Sequence, residues 1–401
     1  MQHWSKRTAV VVLVAYVLFV SILTLRPAPG AVSQQFWTCV LCGERGTADL
    51  ILNVILFAPF GAALVRLGMR PLLACGIALL FSGFLETAQS LIPGRFPTWR
   101  DVVLNASGAW LGAIVTRDLF RWLASRFAPL FFLAAVAAVP GTVLLTGWLH
   151  QPAVKRSTWF GQPSPRLPHL APWEGRLDSA LVGTSSIPNG PLRNAQAVQN
   201  AIASREPVLL SGVAAPAPAR LAGLLAIADD EFEEMLLVGQ EGTDLIVRER
   251  RRASQYRLFE PESRFPGLLS VAPAGTPFRL VVELDRTNAC ATINGQRTCS
   301  PPFAASSAWT FLIWRRGFSA RTQLVLGAMT MFVLCFPVGL LGIAATRDAP
   351  VRGALTLFVG AAALVVACAV TAMAFPTPLE CAAALLGIAA GGASRRSMSI
   401  A

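Results

Sequence analysis

Charged residues are scarce in this sequence. They make up 14% of its 401 residues, whereas hydrophobic residues make up 54% and the mean hydropathy is +0.55. Soluble globular chains carry about a quarter charged residues. The shortage therefore excludes an ordinary soluble protein and indicates a chain that crosses a membrane several times.

Histidine is also scarce, which limits metal chemistry. The three histidines are scattered, whereas a zinc site needs about four ligands. Cys39-x-x-Cys42 has no second pair to complete such a site, and no thioredoxin-like domain surrounds it. We predict no metal and no cofactor, and interpret Cys39 and Cys42 as a structural disulfide or two plain thiols. The cysteines interpreted as packing residues within apolar runs are Cys75, Cys335, Cys368 and Cys381.

The apolar runs approach or exceed the roughly 20 residues that a helix needs to cross the hydrocarbon core. We predict about eight spans: Thr8–Leu25, Leu50–Leu67, Pro71–Leu91, Val102–Thr116, Pro129–Trp148, Thr322–Thr346, Gly353–Phe375 and Pro378–Gly391. Because Lys6 and Arg7 precede the first run, a secretory signal is the alternative there. However, no convincing cleavage site follows, and Arg26 with Pro27 closes the run, so we predict an uncleaved helix.

Basic residues set the predicted orientation, since Lys and Arg in short loops resist translocation. With the N-terminus inside, the short outer loops hold only Arg26, Arg45, Arg95 and Arg100. Both termini are therefore predicted in the cytoplasm, in an inner (cell) membrane. The formal net charge of +12 then reflects topology, and we predict membrane lipids but no nucleic acid as partners. The predicted domains are a five-span membrane domain at 1–148, an extracytoplasmic domain at 149–318 and about three spans at 319–401.

The extracytoplasmic segment is predicted to be an all-β sandwich of jelly-roll type inserted into a polytopic α-helical membrane protein. It begins with a Pro-rich linker over Gln162–Pro172, and a helix is predicted over Leu192–Ala203. Short alternating runs separated by turn residues favour an antiparallel sandwich. The predicted strands are Val208–Val213, Leu221–Ala228, Met235–Val238, Asp244–Arg250, Gln255–Phe259, Phe278–Leu284 and Ala308–Trp314.

One hairpin can be derived residue by residue. Asn294-Gly295 is a strong two-residue turn signal, because both turn positions require positive φ. The pairing then sets Cys290 opposite Cys299 at a non-hydrogen-bonded position, where Cα atoms lie about 4.5 Å apart. We predict a Cys290–Cys299 disulfide, which also favours an oxidising, extracytoplasmic location.

Two similar pentapeptides each begin an apolar run, DLILN from Asp49 to Asn53 and DVVLN from Asp101 to Asn105. Both aspartates are predicted at the outer ends of their helices. An Asp there can cap the helix and favour its dipole, and for either Asp alone this interpretation is as strong as a functional one. Asn53 and Asn105 lie one turn deeper, where an amide usually bonds to another helix.

The third predicted span adds a polar stripe, because Ser82, Glu86 and Gln89 are spaced i, i+4 and i+7. A carboxylate inside a span costs roughly 2.5–3.5 kcal/mol and marks a functional site by default. The following loop brings Arg95 and Arg100 to the same level. We predict that these residues form one polar pocket with the two pentapeptides, open to the outer leaflet. The alternative is a purely structural lock, in which the polar side chains only hold the helices together.

Small and helix-breaking residues accompany the same polar positions. In the fourth span Asn105, Gly108 and Gly112 share a face, and Gly-x-x-x-Gly lets two helix backbones approach closely. In the second span Pro59 removes one backbone hydrogen bond after Asn53. We therefore expect close packing of these helices around the polar cluster.

At this point the chain resembles a known family. The motifs D-x-x-x-N-x-x-x-F-x-P-F-G (Asp49 to Gly61), E-x-x-Q (Glu86, Gln89), Arg95 and D-x-x-x-N-x-x-G (Asp101 to Gly108) together resemble the VanZ-like family of bacterial membrane proteins over Thr8–Thr116. The outer domain is similar to concanavalin A-like lectin/glucanase sandwiches. The resemblance implies a cell-envelope protein with a link to low-level glycopeptide resistance; it implies no particular reaction.

Two function classes follow. The first is a non-enzymatic envelope protein that holds or shields a lipid-linked or amphiphilic ligand, with a sandwich that recognises glycan. The second is a membrane enzyme acting on a lipid-linked saccharide precursor, with Glu86 or Asp101 as acid/base and Arg95 and Arg100 binding phosphate. We favour the first, because no histidine or nucleophile–base pair lies in the cluster. A transporter ranks third, because we expect no second set of broken helices or buried charges in the last three spans.

The sandwich itself offers few candidate residues, partly because the chain has only two tyrosines. Trp173 and Tyr256 are the candidates for stacking on a sugar. Glu283 and Asp285 are candidate paired carboxylates of a hydrolase, although such spacing is common by chance. The acidic run Asp229–Glu234 lacks the spacing of a dedicated calcium loop and is interpreted as a solvated turn, and the sandwich as a folded spacer is the alternative to a ligand-binding domain.

Overall fold

The fold was obtained as a computed structural model, which describes residues 6–27, 45–93, 95, 97–286, 288–313, 318–346 and 350–399. Cys39 and Cys42 lie outside the described residues. The chain divides into two compact units, one of Met1–Val139, Met331–Gly360 and Glu380–Ala401, the other of Pro140–Thr330 and Ala361–Leu379.

A long helix is present at each place where a span was predicted. The described helices are α1 (Lys6–Thr24), α2 (Gly46–Arg66), α3 (Pro71–Gln89), α4 (Trp99–Ala124), α5 (Ala128–Leu149), α6 (Ala195–Ala203), α7 (Arg252–Gln255), α8 (Ala320–Thr346), α9 (Pro350–Thr371) and α10 (Pro378–Ser399). Two of them, α6 and α7, are short and belong to the β-rich region.

Among the described residues, five helices are long and apolar enough to cross a membrane: α2, α3, α5, α8 (over Arg321–Gly342) and α9. The described part of α1 offers a shorter apolar stretch, Leu13–Thr24. In α4 the apolar stretch is bounded by Asp101 and Arg117, so it is shorter than a full membrane crossing requires. The count of eight spans therefore stays a prediction, whereas a membrane protein with several apolar helices is confirmed.

Helices α2 and α4 pack backbone to backbone. A Cβ atom added at Gly61 would overlap the backbone of Ala109, and one added at Gly112 would overlap the backbone of Ala58. Gly108 meets Val54 in the same way. The predicted close approach through Gly108 and Gly112 is thus confirmed, and α2 continues as a helix through Pro59.

The β-rich region contains two antiparallel six-stranded sheets. The strands are β1 (Trp159–Pro163), β2 (Arg176–Val182), β3 (Ser185–Ser186), β4 (Gly190–Pro191), β5 (Val208–Val213), β6 (Ala222–Asp229), β7 (Glu234–Glu241), β8 (Asp244–Glu249), β9 (Ser263–Phe265), β10 (Pro277–Leu284), β11 (Ala289–Ile293) and β12 (Gln296–Cys299). One sheet has the order β4-β1-β6-β7-β8-β9 and the other β12-β11-β10-β5-β2-β3.

Alternating side chains of both sheets meet in one apolar core. Leu236 and Phe265 come from the first sheet and Leu210 and Leu280 from the second, all of them fully buried. Burial of such side chains contributes about 1.5–3 kcal/mol each. The predicted β-sandwich is therefore present, with the apolar face of each sheet turned inward.

Two predicted strands are wrong. Gln255–Phe259 is not extended, because α7 ends at Gln255 and Arg257 then adopts a positive φ of 53° that a strand cannot accommodate. Within Ala308–Trp314 the described residues belong to a 3₁₀ helix, Ala305–Phe311, and a following turn. The predicted linker Gln162–Pro172 is not detached from the sandwich, since β1 includes its first two residues and Leu170 is buried against the outer face of the first sheet.

The derived hairpin is confirmed in every pair. Ile293 faces Gln296 and Cys290 faces Cys299, with the turn at Asn294 (φ 47°) and Gly295 (φ 90°). A disulfide joins the two cysteines, whose Cα atoms are 4.0 Å apart. The two-residue turn thus sets the register that brings together two cysteines nine residues apart in sequence.

Candidate functional site

The two aspartates lie in the first turns of α2 and α4, but neither is the helix cap. In α4 the cap is Thr98, whose Oγ1 accepts a hydrogen bond from the backbone N–H of Asp101 at 3.1 Å. In α2 the cap position is Arg45, and Asp49 lies further along the first turn. The simple capping interpretation is therefore wrong for Asp101, and its carboxylate is available to other groups.

Asp101 lies at the centre of a polar cluster between α2 and α4. Its Oδ1 accepts a hydrogen bond from Asn53 Nδ2 at 2.7 Å and another from Arg100 Nε at 3.3 Å. The Arg100 guanidinium also lies 3.6 Å from Asp49 Oδ2. The two similar pentapeptides therefore meet in space, and Arg100 joins their aspartates.

A second layer links α3 to α4. Glu86 Oε2 accepts the backbone N–H of Thr98 at 2.8 Å, and Asn105 Nδ2 donates to Ser82 Oγ at 2.9 Å. The carbonyl oxygen of the Asn105 side chain is buried and has no hydrogen-bond partner in the part of the chain that the structure describes. A buried acceptor of this kind carries a desolvation cost of about 1–3 kcal/mol.

The last two predicted residues, Gln89 and Arg95, bind the backbone at the end of α1. Gln89 Nε2 donates to the carbonyl of Thr24 at 3.2 Å, and Arg95 Nε donates to the carbonyl of Arg26 at 2.8 Å. Three helices and the loop after α3 supply the side chains of the polar cluster, and the end of α1 supplies two backbone acceptors. We define the polar cluster as Asp49, Asn53, Ser82, Glu86, Gln89, Arg95, Arg100, Asp101 and Asn105.

Exposure decreases from one side of the polar cluster to the other. The side chain of Asp49 is 49% exposed and that of Asp101 is 23% exposed, whereas Glu86 is 6% exposed as a whole residue. Ser82 is fully buried, and its hydroxyl accepts from an amide. The polar cluster can therefore offer charged and hydrogen-bonding groups to a ligand near Asp49, but it does not arrange Ser82 against a base.

The sandwich candidates are placed very differently from one another. Trp173 is buried and donates its indole N–H to Gln240 Oε1 at 3.0 Å, so it cannot stack on a sugar. Tyr256 is exposed beside Trp148. Glu283 forms an exposed ion pair with Arg297, which occupies the carboxylate that the predicted pairing with Asp285 would use.

The acidic run is only partly a solvated turn. Asp229 is fully buried, and its Oδ1 accepts the backbone N–H groups of Glu231 and Glu233. The carboxylate oxygens of these three residues lie within 4.8 Å of one another, as in a cation site. However, Lys155 Nζ lies 3.3 Å from Asp229 and 2.8 Å from Glu231, so a protein cation already neutralises them.

Sequence reasoning missed a buried charged cluster at the start of the sandwich. Glu249 is paired with Arg205 at 2.7 Å and with Arg251 at 3.4 Å, and Arg251 NH1 donates to the carbonyl of His150. Burial, followed by the nearby arginines, lowers the pKa of His150 well below its usual value. Burial also raises the pKa of Glu260. The dense arginine run Arg248–Arg252 was the available signal for this cluster.

A second missed residue is Glu380 in the first turn of α10, which is only 7% exposed. The expectation that the last three spans hold no buried charge is therefore wrong. Its position at a helix N-terminus places the carboxylate where the helix dipole favours it.

Comparison with known proteins found a family match for the first part of the chain. Residues 3–121 match the VanZ/LLP1 family model, a segment that contains the whole polar cluster. No curated protein and no solved structure matches the chain. The fold and this match define a membrane protein with a VanZ-like segment and a β-sandwich, of the kind associated with the cell envelope. The concanavalin A-like relationship of the sandwich stays a prediction.

Proposed function

We propose that this chain is a multi-pass protein of the bacterial cell membrane that binds or shields a lipid-linked or glycan component of the envelope. The observation that carries the proposal is the graded exposure of the polar cluster, from half-exposed Asp49 to buried Glu86. A lipid-linked saccharide has a polar head and an apolar chain. Such a ligand suits charged groups at a helix end beside apolar helix surfaces. A relation to glycopeptide tolerance follows from the family resemblance.

The proposed orientation has both termini in the cytoplasm and the sandwich outside. The Cys290–Cys299 disulfide supports it, because such bonds persist in oxidising compartments. Alkylation of intact cells tests it: both thiols should stay unlabelled until a reductant is added. Labelling of both without reductant would contradict the disulfide and remove its support for the orientation.

The binding role of the polar cluster is tested by two substitutions. Glu86→Gln and Asp101→Asn keep the size of each side chain and remove its charge, and a neutral amide is no harder to embed in a span. Each should weaken binding of a polyprenyl-linked saccharide by about ten-fold or more, since a charge-assisted hydrogen bond contributes roughly 1.5–3 kcal/mol. Native mass spectrometry of the detergent-purified protein measures this binding.

The matched control is Asp118→Asn at the other end of α4. Asp118 is also paired with arginines, Arg117 and Arg121, but lies 17 residues from Asp101 along α4, about 25 Å away. It should leave binding unchanged. If Glu86→Gln and Asp101→Asn bind as tightly as the control while the protein stays folded, the polar cluster is a structural lock.

A membrane enzyme using Glu86 or Asp101 is the second candidate. Arg100 is already engaged by Asp49 and Asp101, so it would have to release them to bind a phosphate. The hydroxyl in the polar cluster is buried beside an amide. We therefore favour binding. Turnover of the lipid-linked saccharide by purified protein, lost in Glu86→Gln, would reverse that preference.

For the sandwich we propose the concanavalin A-like relationship, supported by its two six-stranded antiparallel sheets. Sugar recognition would depend on Tyr256, since Trp173 is buried. Glycan-array binding by the purified protein, compared with a Tyr256→Ala variant, tests it. No glycan binding would leave the sandwich as a folded spacer.

A further inference from the structure

When α5 spans the membrane, its last residues lie at the outer membrane surface. The helix has 22 residues and is one of the candidate spans. At 1.5 Å per residue it is about 33 Å long, close to the roughly 30 Å of the hydrocarbon core. Trp148 lies in its last turn, so a membrane-spanning α5 places the Trp148 ring at a membrane–water interface, where tryptophan and tyrosine are enriched.

The chain after α5 is hydrogen-bonded to the segment that begins α7. The backbone N–H of Arg252 donates to the carbonyl of Gln151 at 2.8 Å, and that of Ala153 donates to the carbonyl of Arg250 at 2.9 Å. Because these bonds begin only two residues after the helix ends, α7 lies within a few residues of the interface. The sandwich therefore meets the bilayer at this segment.

Side chains confirm that α7 and Trp148 share one level. The ring centroids of Trp148 and Tyr256 are 5.3 Å apart, and the guanidinium carbon of Arg252 is 5.4 Å from the Trp148 ring centroid. Trp148 is 37% exposed and Tyr256 is 48% exposed, although both rings are large and apolar. Exposed aromatic residues beside a basic residue are typical of protein segments that lie at the level of the lipid headgroups.

The arginines of α7 and the following turn differ from the preceding arginines in their contacts. Arg248, Arg250 and Arg251 form ion pairs with glutamates. Arg252 lies over the Trp148 ring instead, and Arg257 is exposed at the end of the turn. Guanidinium groups bind phosphate oxygens through paired hydrogen bonds, so these two arginines suit an anionic headgroup.

We propose that Arg252, Tyr256 and Arg257 form a headgroup contact, in which the sandwich binds the phosphates of anionic phospholipids in the outer leaflet. Tyr256 lies at the interface beside Trp148, so this contact is the alternative to sugar stacking by Tyr256. The two arginines bind the headgroups. The contact rests on α5 spanning the membrane, as in the proposed function, but not on the polar cluster around Glu86.

The test places the photoreactive residue p-benzoylphenylalanine at Tyr256 in the full-length protein. The protein is reconstituted in nanodiscs of phosphatidylglycerol and phosphatidylcholine, illuminated and analysed by mass spectrometry. The matched control carries the same residue at Thr243, which is exposed in the turn before β8. Strand β8 lies between the two sites in the chain and has six residues, so it is about 20 Å long, more than the headgroup layer, which is about 5–8 Å thick.

Position 256 should give phospholipid adducts, enriched in phosphatidylglycerol by about five-fold for each arginine, and position 243 should give none. In Arg252→Gln/Arg257→Gln protein the adducts should fall to the lipid mixing ratio. Absence of lipid adducts at 256, or equal adducts at both positions, would overturn the contact. Equal phosphatidylglycerol enrichment with and without the arginines would overturn their role.

Two further arms distinguish the headgroup contact from a free-phosphate site and from the polar cluster. Excess inorganic phosphate should not abolish the phosphatidylglycerol enrichment; if it does, free phosphate is the ligand and the headgroup assignment is wrong. The Glu86→Gln protein should give the same adducts as the natural chain. Loss of saccharide binding in that variant with normal adducts would separate the two proposals experimentally.

Discussion

The helices α1–α4 and the sandwich bury their polar groups in opposite ways. Between α2 and α4 the closest contacts are glycine against backbone, and polar side chains bond from helix to helix. In the sandwich large apolar side chains fill the space between the sheets, and the buried ion pair of Arg205 with Glu249 lies at the end of a strand.

The difference follows from the surroundings of each region. Lipid is as apolar as leucine, so burial of apolar surface cannot hold helices together within a membrane, and close contact and hydrogen bonds must do so. The sandwich faces water, and apolar burial stabilises it directly. Each region should therefore respond to a different kind of substitution.

The largest expected effect is on the buried ion pair of the sandwich. Arg205→Met leaves the Glu249 carboxylate buried, with Arg251 at 3.4 Å as its remaining ion-pair partner among the described residues. Loss of one partner of a buried pair should lower the free energy of unfolding by about 3 kcal/mol. Thermal loss of the β-sheet circular dichroism signal measures it. Arg297→Met, which breaks an exposed pair, should cost less than about 1 kcal/mol; equal costs would contradict the distinction.

The disulfide should come next. Cys290→Ser/Cys299→Ser opens a loop of nine-residue separation, which in the chain-entropy account costs about 2.5 kcal/mol. The same thermal measurement with and without reductant checks it, since reductant should destabilise the natural chain but not the double variant. Cys381→Ser, at an exposed cysteine outside this disulfide, is the control and should respond to reductant as the natural chain does. A reductant effect that persists in the double variant would place the sensitive bond elsewhere.

Much of this fold could be predicted from the sequence, because its patterns are local. Apolar runs predicted a helix at all eight places, and Asn294-Gly295 fixed the hairpin register and the disulfide. The strand β5 matches its predicted bounds, since its residues alternate between buried and half-buried. The short strand β1 was missed because Gly161 and Pro163 interrupt its pattern.

The polar cluster could be predicted as a set but not as a network. Spacing placed Asp49, Asp101 and Glu86 at one level, and they do converge. Sequence could not show that Thr98 caps α4 and leaves Asp101 to Asn53 and Arg100, since that choice depends on how the helices pack. The His150–Arg251 cluster was missed because its members lie about 100 residues apart in the chain.

A smaller effect should separate two glycines of the helical region. Gly112→Ala places a methyl group against the backbone of Ala58, whereas around Gly83 there is open space. The first should cost about 2 kcal/mol as overpacking. The second should be neutral or stabilising, since alanine favours a helix by up to about 1 kcal/mol over glycine. Thermal unfolding in detergent measures both, and equal effects would mean that α2 and α4 do not rely on close contact.

The smallest effect is a pH dependence of the stability of the sandwich. Burial, then the charges of Arg251 and Arg205, lower the pKa of His150 well below its usual value. Unfolded histidine has a pKa of about 6.5, so below that pH the unfolded chain takes up a proton that the folded chain does not. The free energy of unfolding should then decrease by up to about 1.4 kcal/mol for each unit by which the pH is lowered below about 6.5.

Glu260 changes the stability in the opposite direction, so its contribution must be measured separately from that of His150. Burial raises the pKa of Glu260, so the folded carboxyl keeps a proton that the unfolded one releases above its ordinary pKa of about 4.3, and stability falls as pH rises. His150→Gln removes only the histidine contribution. The difference in unfolding free energy between the natural chain and this variant should therefore be constant above about pH 7 and change steadily below about pH 6.5. Parallel stability curves across that range would show that His150 takes up its proton in the folded state, and that the cluster beside it is open to water.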